Sequence, residues 1–399
     1  MPDTRESERR GVKILWHSNA PWWPTGYGCQ TALTVPKLRD LGHDVAVSAF
    51  SGLEGQALVI DGLTVYPKSV DGFGNDSIHA HAHHHFGGRL EDGLILTLLD
   101  VWVLRPELFR APVRSAAWVP VDHEPAPPGV LGFFEQSDCI PIAMSQFGVE
   151  QLAAHDPVYV PHAIDTSVLY PRDRAQARAR LNVPEDRFLV GMVAANKGNP
   201  SRKSFDQALQ AFAEFQRKHK DAMIYLHTEA TGMMGGVALP RLLAALDIPP
   251  ESVIFPDQHK LLCTGLGGDF MAHAYSAMDV LMNPASGEGF GIPVLESQAC
   301  GTPVIVSDFS AMREIGQVGW QVGGQKWWTP LQSWQLWPDV RQIVDSLNQA
   351  YDHAGRLRDQ AVEFAQQYEI GRVMTEHWAP ALEAIEQRLQ EREPVAVVA

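Results

Sequence analysis

Cysteine is scarce in this sequence. The four residues, Cys29, Cys139, Cys263 and Cys300, are widely spaced along 399 positions and form no Cys-x-x-Cys pair. That argues against structural zinc and suits a reducing, cytoplasmic setting. Long apolar runs are missing as well, so no segment reads as a membrane span, and the charged stretch 1–10 lacks the apolar centre of a secretory signal. Basic residues are in the minority, 32 Lys and Arg against 47 Asp and Glu, for a net charge of −15. Such a chain is not built for broad nucleic-acid binding, although a small local basic groove stays open to it.

What is present is a strand–helix rhythm. The length exceeds what one core usually covers, so two domains are expected. Apolar stretches at 12–17, 44–50, 63–66, 94–99, 116–121 and 139–144 read as strands of a first doubly wound α/β domain. Stretches at 188–195, 223–228, 253–255, 280–283 and 303–306 read as strands of a second. Amphipathic helices are expected over 29–41, 204–218, 340–367 and 373–392, and the tail 394–399 is expected to fray. The charged stretch 171–186 reads as a linker with one helix. The run from His79 to His85 alternates with alanine, which on a strand would put His79, His81, His83 and His85 on one face. That pattern invites a metal reading, but no carboxylate or cysteine stands at ligand spacing, and a strand-end loop lining a cleft explains it equally well.

The most informative stretch is Gly287-Glu288-Gly289-Phe290-Gly291-Ile292, followed by Pro293 and, one helical turn on, Glu296. Pro293 suits a first helical position, and Gly301 the left-handed residue after the helix. Glycines before a helix start let backbone N–H groups approach an anion. Glu288 and Glu296 bracket that anion site, where carboxylates are better placed to accept from hydroxyl groups than to meet phosphate. A nucleotide sugar, with a diphosphate between two polyols, fits such a site.

Glu288-Gly-Phe-Gly and Glu296, with Cys300-Gly-Thr-Pro-Val after them, resemble the Glu-x-Gly-Phe-Gly-x-x-x-Glu signature of retaining GT-B glycosyltransferases of the family-four type, the glycosyl transferases group 1. The resemblance implies two Rossmann-like domains facing across a cleft, with the C-terminal helix crossing back to the first. The expected division is 1–163, completed by about 373–393, and 164–372. The segment 158–165 resembles the family's interdomain joint, with His162 and Ala163 in place of Asn and Gly. The implied reaction moves a hexose from a UDP- or GDP-sugar, of the UDP-glucose or GDP-mannose kind, to an acceptor hydroxyl with retention. No nucleophile is assigned, because the family is taken to use front-face departure of the leaving group.

By the same resemblance, Lys197 and Lys203, with Arg202 as an alternate, hold the diphosphate together with the helix start at Ile292. Glu288 orients the sugar, Glu296 the ribose and His123 the reacting face. Gly26, Tyr27 and Gly28 lie in the first glycine loop, and Gln258 lies where the nucleotide base is met. Gly289, Phe290 and Gly291 complete the donor set. Trp22, Trp23, Asp100 and Asp122 are candidates for the acceptor side, and the acceptor itself (glycan, small molecule or modified base) is not named by any motif. No cofactor or metal is required if these cations stabilise the departing diphosphate. The other readings are a sugar-nucleotide epimerase, a glycosyltransferase acting on a hydroxylated base in DNA, and a silent nucleotide-sugar-binding protein. The tryptophan-rich insert Trp327, Trp328, Trp334 and Trp337 either flanks the cleft or packs the domains, with packing the better fit.

Overall fold

The computed structural model describes residues 11–392; the charged start and the tail from 393 lie outside the described residues. Buried β-branched and leucine-rich runs make two sheets. The first holds β1 (Lys13–Asn19), β2 (Asp44–Ser51), β3 (Leu58–Ile60), β4 (Leu63–Tyr66), β5 (Leu94–Leu98), β6 (Ser115–Val119), β7 (Ile140–Ala143) and β8 (Val158–Tyr159). Their order is β3-β4-β2-β1-β5-β6-β7-β8, parallel except for the β3–β4 pair. The second holds β9 (Phe188–Val193), β10 (Ala222–His227), β11 (Val253–Ile254), β12 (Val280–Asn283), β13 (Val304–Ser307) and β14 (Gly319–Val322), all parallel in the order β11-β10-β9-β12-β13-β14. A hairpin of β15 (Gly324–Trp328) and β16 (Trp334–Pro338) stands apart from both.

In each sheet the strand order reverses direction once, at β1/β5 and at β9/β12. Open α/β sheets bind ligands in the crevice beyond the carboxyl ends of strands at such a point. The two crevices face one another. The Cβ that Gly26 lacks would lie 3.5 Å from Ile292 Cδ1, so a helix start of the first domain, Gly26–Asp40, meets one of the second, Ile292–Ala299.

The C-terminal helix returns to the first domain. Trp378 is fully buried against Trp16 of β1 and Trp118 of β6, with ring centroids 5.9 and 4.9 Å apart. Glu386 pairs with Arg114 at 2.6 Å, and Arg388 with Asp156 at 3.0 Å. The expected continuous helices are broken: 340–367 becomes Val340–His353 and Arg358–Ala365 around a tight turn, and a widened turn at Met374–Trp378 precedes Ala379–Arg392.

The histidine run is not a strand or a loop. It is the helix Ile78–Phe86, closed by Gly87 in the left-handed region at φ 87°. Ile78, Ala82 and Phe86, four residues apart, are its buried stripe; a four-residue apolar spacing overrides an alternation that also reads as period two. The histidines point to separate partners: His79 to Leu108 O (2.6 Å), His81 to Ser48 Oγ (2.9 Å), His84 to Tyr66 OH (2.8 Å) and His85 to Asp44 O (3.0 Å). Among the described residues no group of three or more His, Cys, Asp or Glu is arranged to hold a metal ion, and no helix is long and apolar enough to cross a membrane.

Candidate active site

Five loops meet in the cleft, those after β1, β5, β6, β9 and β12. Gly287 and Gly289 are glycines because the other domain is in the way. A Cβ on Gly287 would sit 2.2 Å from Asp122 O, and one on Gly289 2.4 Å from Pro120 Cβ. The close approach expected of a ligand at these glycines is made instead by the end of β6. Gly291 caps the helix at φ 96°, as a left-handed position requires. Phe290 is 3% exposed and packs on His162 and Tyr368, so its ring supports the loop from behind and does not face the cleft.

At the centre stands Glu288. Its Oε1 pairs closely with Lys203 Nζ and its Oε2 accepts from Arg202 Nη1 at 3.0 Å, while its backbone N–H donates to Ser310 Oγ at 2.9 Å. Arg202 also donates to Gly287 O and lies 3.3 Å from Asp122 Oδ2 of the first domain. Asp122 in turn holds His123 Nδ1 at 2.6 Å, which fixes the orientation of a ring only 3% exposed. One charge network therefore joins the second domain's cations to the first domain's Asp–His pair.

The electrostatics follow from that crowding. Burial alone would raise Glu288, but Lys203 and Arg202 outweigh it and hold the carboxyl below its ordinary value. Burial and the adjacent Arg202 lower the Lys203 ammonium despite Glu288. Arg202 is raised above the usual guanidinium value, because Glu288 and Asp122 overcome the effect of burial. Asp122 is lowered, with the His123 hydrogen bond and Arg202 outweighing burial. Asp100, by contrast, is pushed up to about 6 by burial and by the nearby Asp122 charge, and lies 3.5 Å from Tyr27 OH. A buried Tyr27 beside Asp100 holds its proton well above the usual range.

The other expected residues fall as follows. Gly26, Tyr27 and Gly28 are the first turn of a helix and not a loop, because Thr25 caps it by accepting from Gly28 N at 3.1 Å. Lys197 is exposed, makes none of the ion pairs seen at Arg202, and is near enough for its charge to act weakly on Asp100. Glu296 accepts from Tyr275 OH at 2.7 Å and is raised by burial. Gln258 spends its amide on loop closure, accepting from Ala230 N at 3.0 Å and donating to Thr228 O and Pro256 O. Trp22 and Trp23 are each 42% exposed; Trp22 donates to Gly52 O at 2.7 Å. Asp100, Asp122 and His123 do reach the same cleft as Arg202, Lys203 and Glu288.

Sequence reasoning missed Tyr275, Ser310 and the reach of the tryptophan hairpin. Strand β16 lies along both halves of the cleft: Leu336 N donates to Ser286 O (2.9 Å), Gln335 Nε2 to Asp122 O (3.4 Å), and Trp334 exchanges two backbone hydrogen bonds of 3.0 Å with Glu124. These partners are far apart in the chain, so only the tryptophan content of 327–337 could have drawn attention to it. The hairpin packs the domains and flanks the cleft at once.

The family model described as glycosyl transferases group 1 matches residues 188–326, the span from β9 to β15. A D-inositol 3-phosphate glycosyltransferase of Saccharomonospora viridis is 30% identical over 214 residues, covering 51% of this chain and 48% of the relative; the chain spans about half the length of the curated relatives it matches. Sucrose-phosphate synthase from Thermosynechococcus elongatus superposes with a TM-score of 0.69 at 16% identity, covering 95% of this chain and 98% of that one. Anabaena HepE, solved in complex with UDP-glucose, does so at 0.65 and 15%, covering 94% and 100%. Residues 188–326 thus match the glycosyl transferases group 1 family, and the two facing parallel sheets with the returning C-terminal helix give the chain the GT-B fold.

Proposed function

We propose that this protein transfers a hexose from a nucleoside diphosphate sugar to an acceptor hydroxyl with retention of configuration. The observation that carries the reading is the Glu288–Lys203–Arg202 cluster set at the start of helix Ile292–Ala299 and faced by Asp122–His123. Two cations and two opposed helix starts favour a diphosphate, and carboxylates beside them favour the hydroxyls of its sugar and ribose. Arg202 and Lys203 take the diphosphate, with Lys197 at the rim, Glu288 the sugar and Glu296, oriented by Tyr275, the ribose. The structure of HepE with UDP-glucose and the curated relatives' name support a nucleotide-sugar donor, and the match to that family lies in the donor domain.

In the step itself the C1–O bond to the diphosphate breaks and a C1–O bond to the acceptor forms on the same face. The acceptor's proton passes to the departing phosphate oxygen, and Arg202 and Lys203 stabilise the charge that develops there. That stabilisation needs no metal ion. His123, held by Asp122, faces the reacting carbon from the first domain.

The test is incubation with UDP-glucose, GDP-mannose and related donors, following free UDP or GDP and the anomeric configuration of the product by NMR. Release of nucleoside diphosphate with an axial product from an axial donor is expected. Donor binding without turnover on any acceptor, or an inverted product, would refute the transfer reaction as proposed.

A further inference from the structure

Two large aromatic rings sit uncovered beside the cleft. Trp328 is 53% exposed and Trp334 39%. They face each other across the hairpin as a directly paired cross-strand couple, ring centroids 5.0 Å apart and edge to face. Glu124 pairs with Trp334 on the open edge of β16, so it adds a third strand position to the same small sheet face. Lys326 reaches across to the Glu124 carboxylate. The face thus offers two indole rings bordered by one ion pair.

Its position is set by the chain. Glu124 follows Asp122 by two residues, at most about 7 Å of chain, and the backbone bends at His123 between them, so the face lies no more than about one sugar ring from the reacting centre. Exposed tryptophan is costly unless it has a use, because an indole face prefers a flat apolar partner to water. The apolar faces of pyranose rings are such partners, and the Glu124–Lys326 pair supplies an acceptor and a donor for their hydroxyls. Charge narrows the choice further. The hairpin face is neutral, with Lys326 paired to Glu124, and Asp122 beside it is paired with Arg202, so this side offers no excess positive charge to a phosphorylated acceptor or a nucleic-acid backbone.

Resting on the transfer reaction above, we propose that the Trp328–Trp334 pair with Glu124 and Lys326 is a stacking subsite for the second ring of the acceptor, which is an uncharged saccharide at least two rings long. The first ring lies between Asp100 and His123 and presents its hydroxyl to the donor; the second rests on the hairpin. Closing the hairpin on Glu124 and Ser286 builds the subsite from both domains.

The test measures binding and turnover together. Maltotriose, mannotriose, cellotriose and their monosaccharides are titrated against the whole protein with saturating UDP, by tryptophan fluorescence and saturation-transfer NMR. At least one trisaccharide is expected to bind about tenfold tighter than its monosaccharide. Trp328→Ala and Trp334→Ala should erase that gap, Trp328→Phe should restore part of it, and UDP binding should stay unchanged in all three. Absence of binding by every saccharide, or a gap that survives both alanine variants, would overturn the subsite. So would stacking-dependent binding of inositol 3-phosphate or of a hydroxymethylcytosine oligonucleotide in place of the saccharides. Saccharide binding that depends on Trp328, found without any release of UDP or GDP from donors, would refute the transfer reaction and leave the subsite standing.

Discussion

Replacing Glu288 by Gln separates two roles that one carboxylate plays. In the structure Glu288 neutralises both Arg202 and Lys203, and any diphosphate must compete with it for them. A unit-charge pair near contact is worth about 4 kcal/mol at an effective dielectric of about 20. Arg202 is 39% exposed and keeps Asp122 as a second partner, so solvent and that carboxylate reduce the gain on removing Glu288 to about 1–2 kcal/mol. UDP, which carries the diphosphate but no sugar, should therefore bind Glu288→Gln about tenfold more tightly than the parent protein. Turnover should move the opposite way, falling about a hundredfold, because the amide orients sugar hydroxyls poorly in the transition state. Calorimetric titration with UDP and GDP, beside donor turnover under identical salt, gives both numbers. Weaker UDP binding in the variant, or turnover that survives, would show that Glu288 is not the group shared between cations and sugar.

Further outcomes follow from single contacts. Glu296→Ala should weaken donor binding about a hundredfold and Tyr275→Phe about fivefold by calorimetry, since the first removes the acceptor for the ribose and the second only its 2.7 Å positioning bond; equal affinities would remove the ribose role. Gly289→Ala should cost about 1–3 kcal/mol in denaturant unfolding, because its Cβ would lie 2.4 Å from Pro120 across the domain interface; an unchanged midpoint would mean the loop yields freely. Glu314 joins the domains by accepting from Gln146 N at 2.9 Å, and burial, with Glu150 nearby, pushes it up to about 7 from an ordinary value of 4.5. A raised carboxyl favours the protonated fold, so its contribution is complete below about pH 4.5 and is lost as pH rises through 7. Melting temperature should therefore fall from pH 5 to 8, and Glu314→Gln should remove about 1–2 kcal/mol of that decline; an unaltered pH profile in the variant would exclude it.

What could be read in the sequence was local. Pro293 and Gly301 mark a helix that the structure begins at Ile292 and ends at Ala299, because a missing N–H and a left-handed residue act within one turn. Glu288 and Glu296 were recognisable because their spacing, Gly-Phe-Gly and Cys-Gly-Thr-Pro-Val occur together. The partners that give Glu288 its charge environment stand 85 and 86 positions away, and no local pattern selects Arg202 over Lys197. The histidine run was misread because alternation with alanine satisfies two periods, and Ile78 and Phe86 decide between them only once a core exists to receive them. The hairpin's pairing of Trp334 with Glu124 depends on two domains already being side by side. Gly287 and Gly289 show the same limit: the residue type announced a close approach without saying to what.

The three indoles Trp16, Trp118 and Trp378 have a consequence for biosynthesis. Two of them belong to strands made early, and the third arrives some 260 positions after Trp118. Until then Trp16 and Trp118 cover only one another and their first-domain neighbours, and the face that Trp378 will close stays open while the ribosome makes the whole second domain. The first domain must wait, half closed and prone to association, for a helix encoded near residue 380. Expressed by itself, the first 163 residues would keep that wound open, and the two halves of the cleft are best produced as one polypeptide.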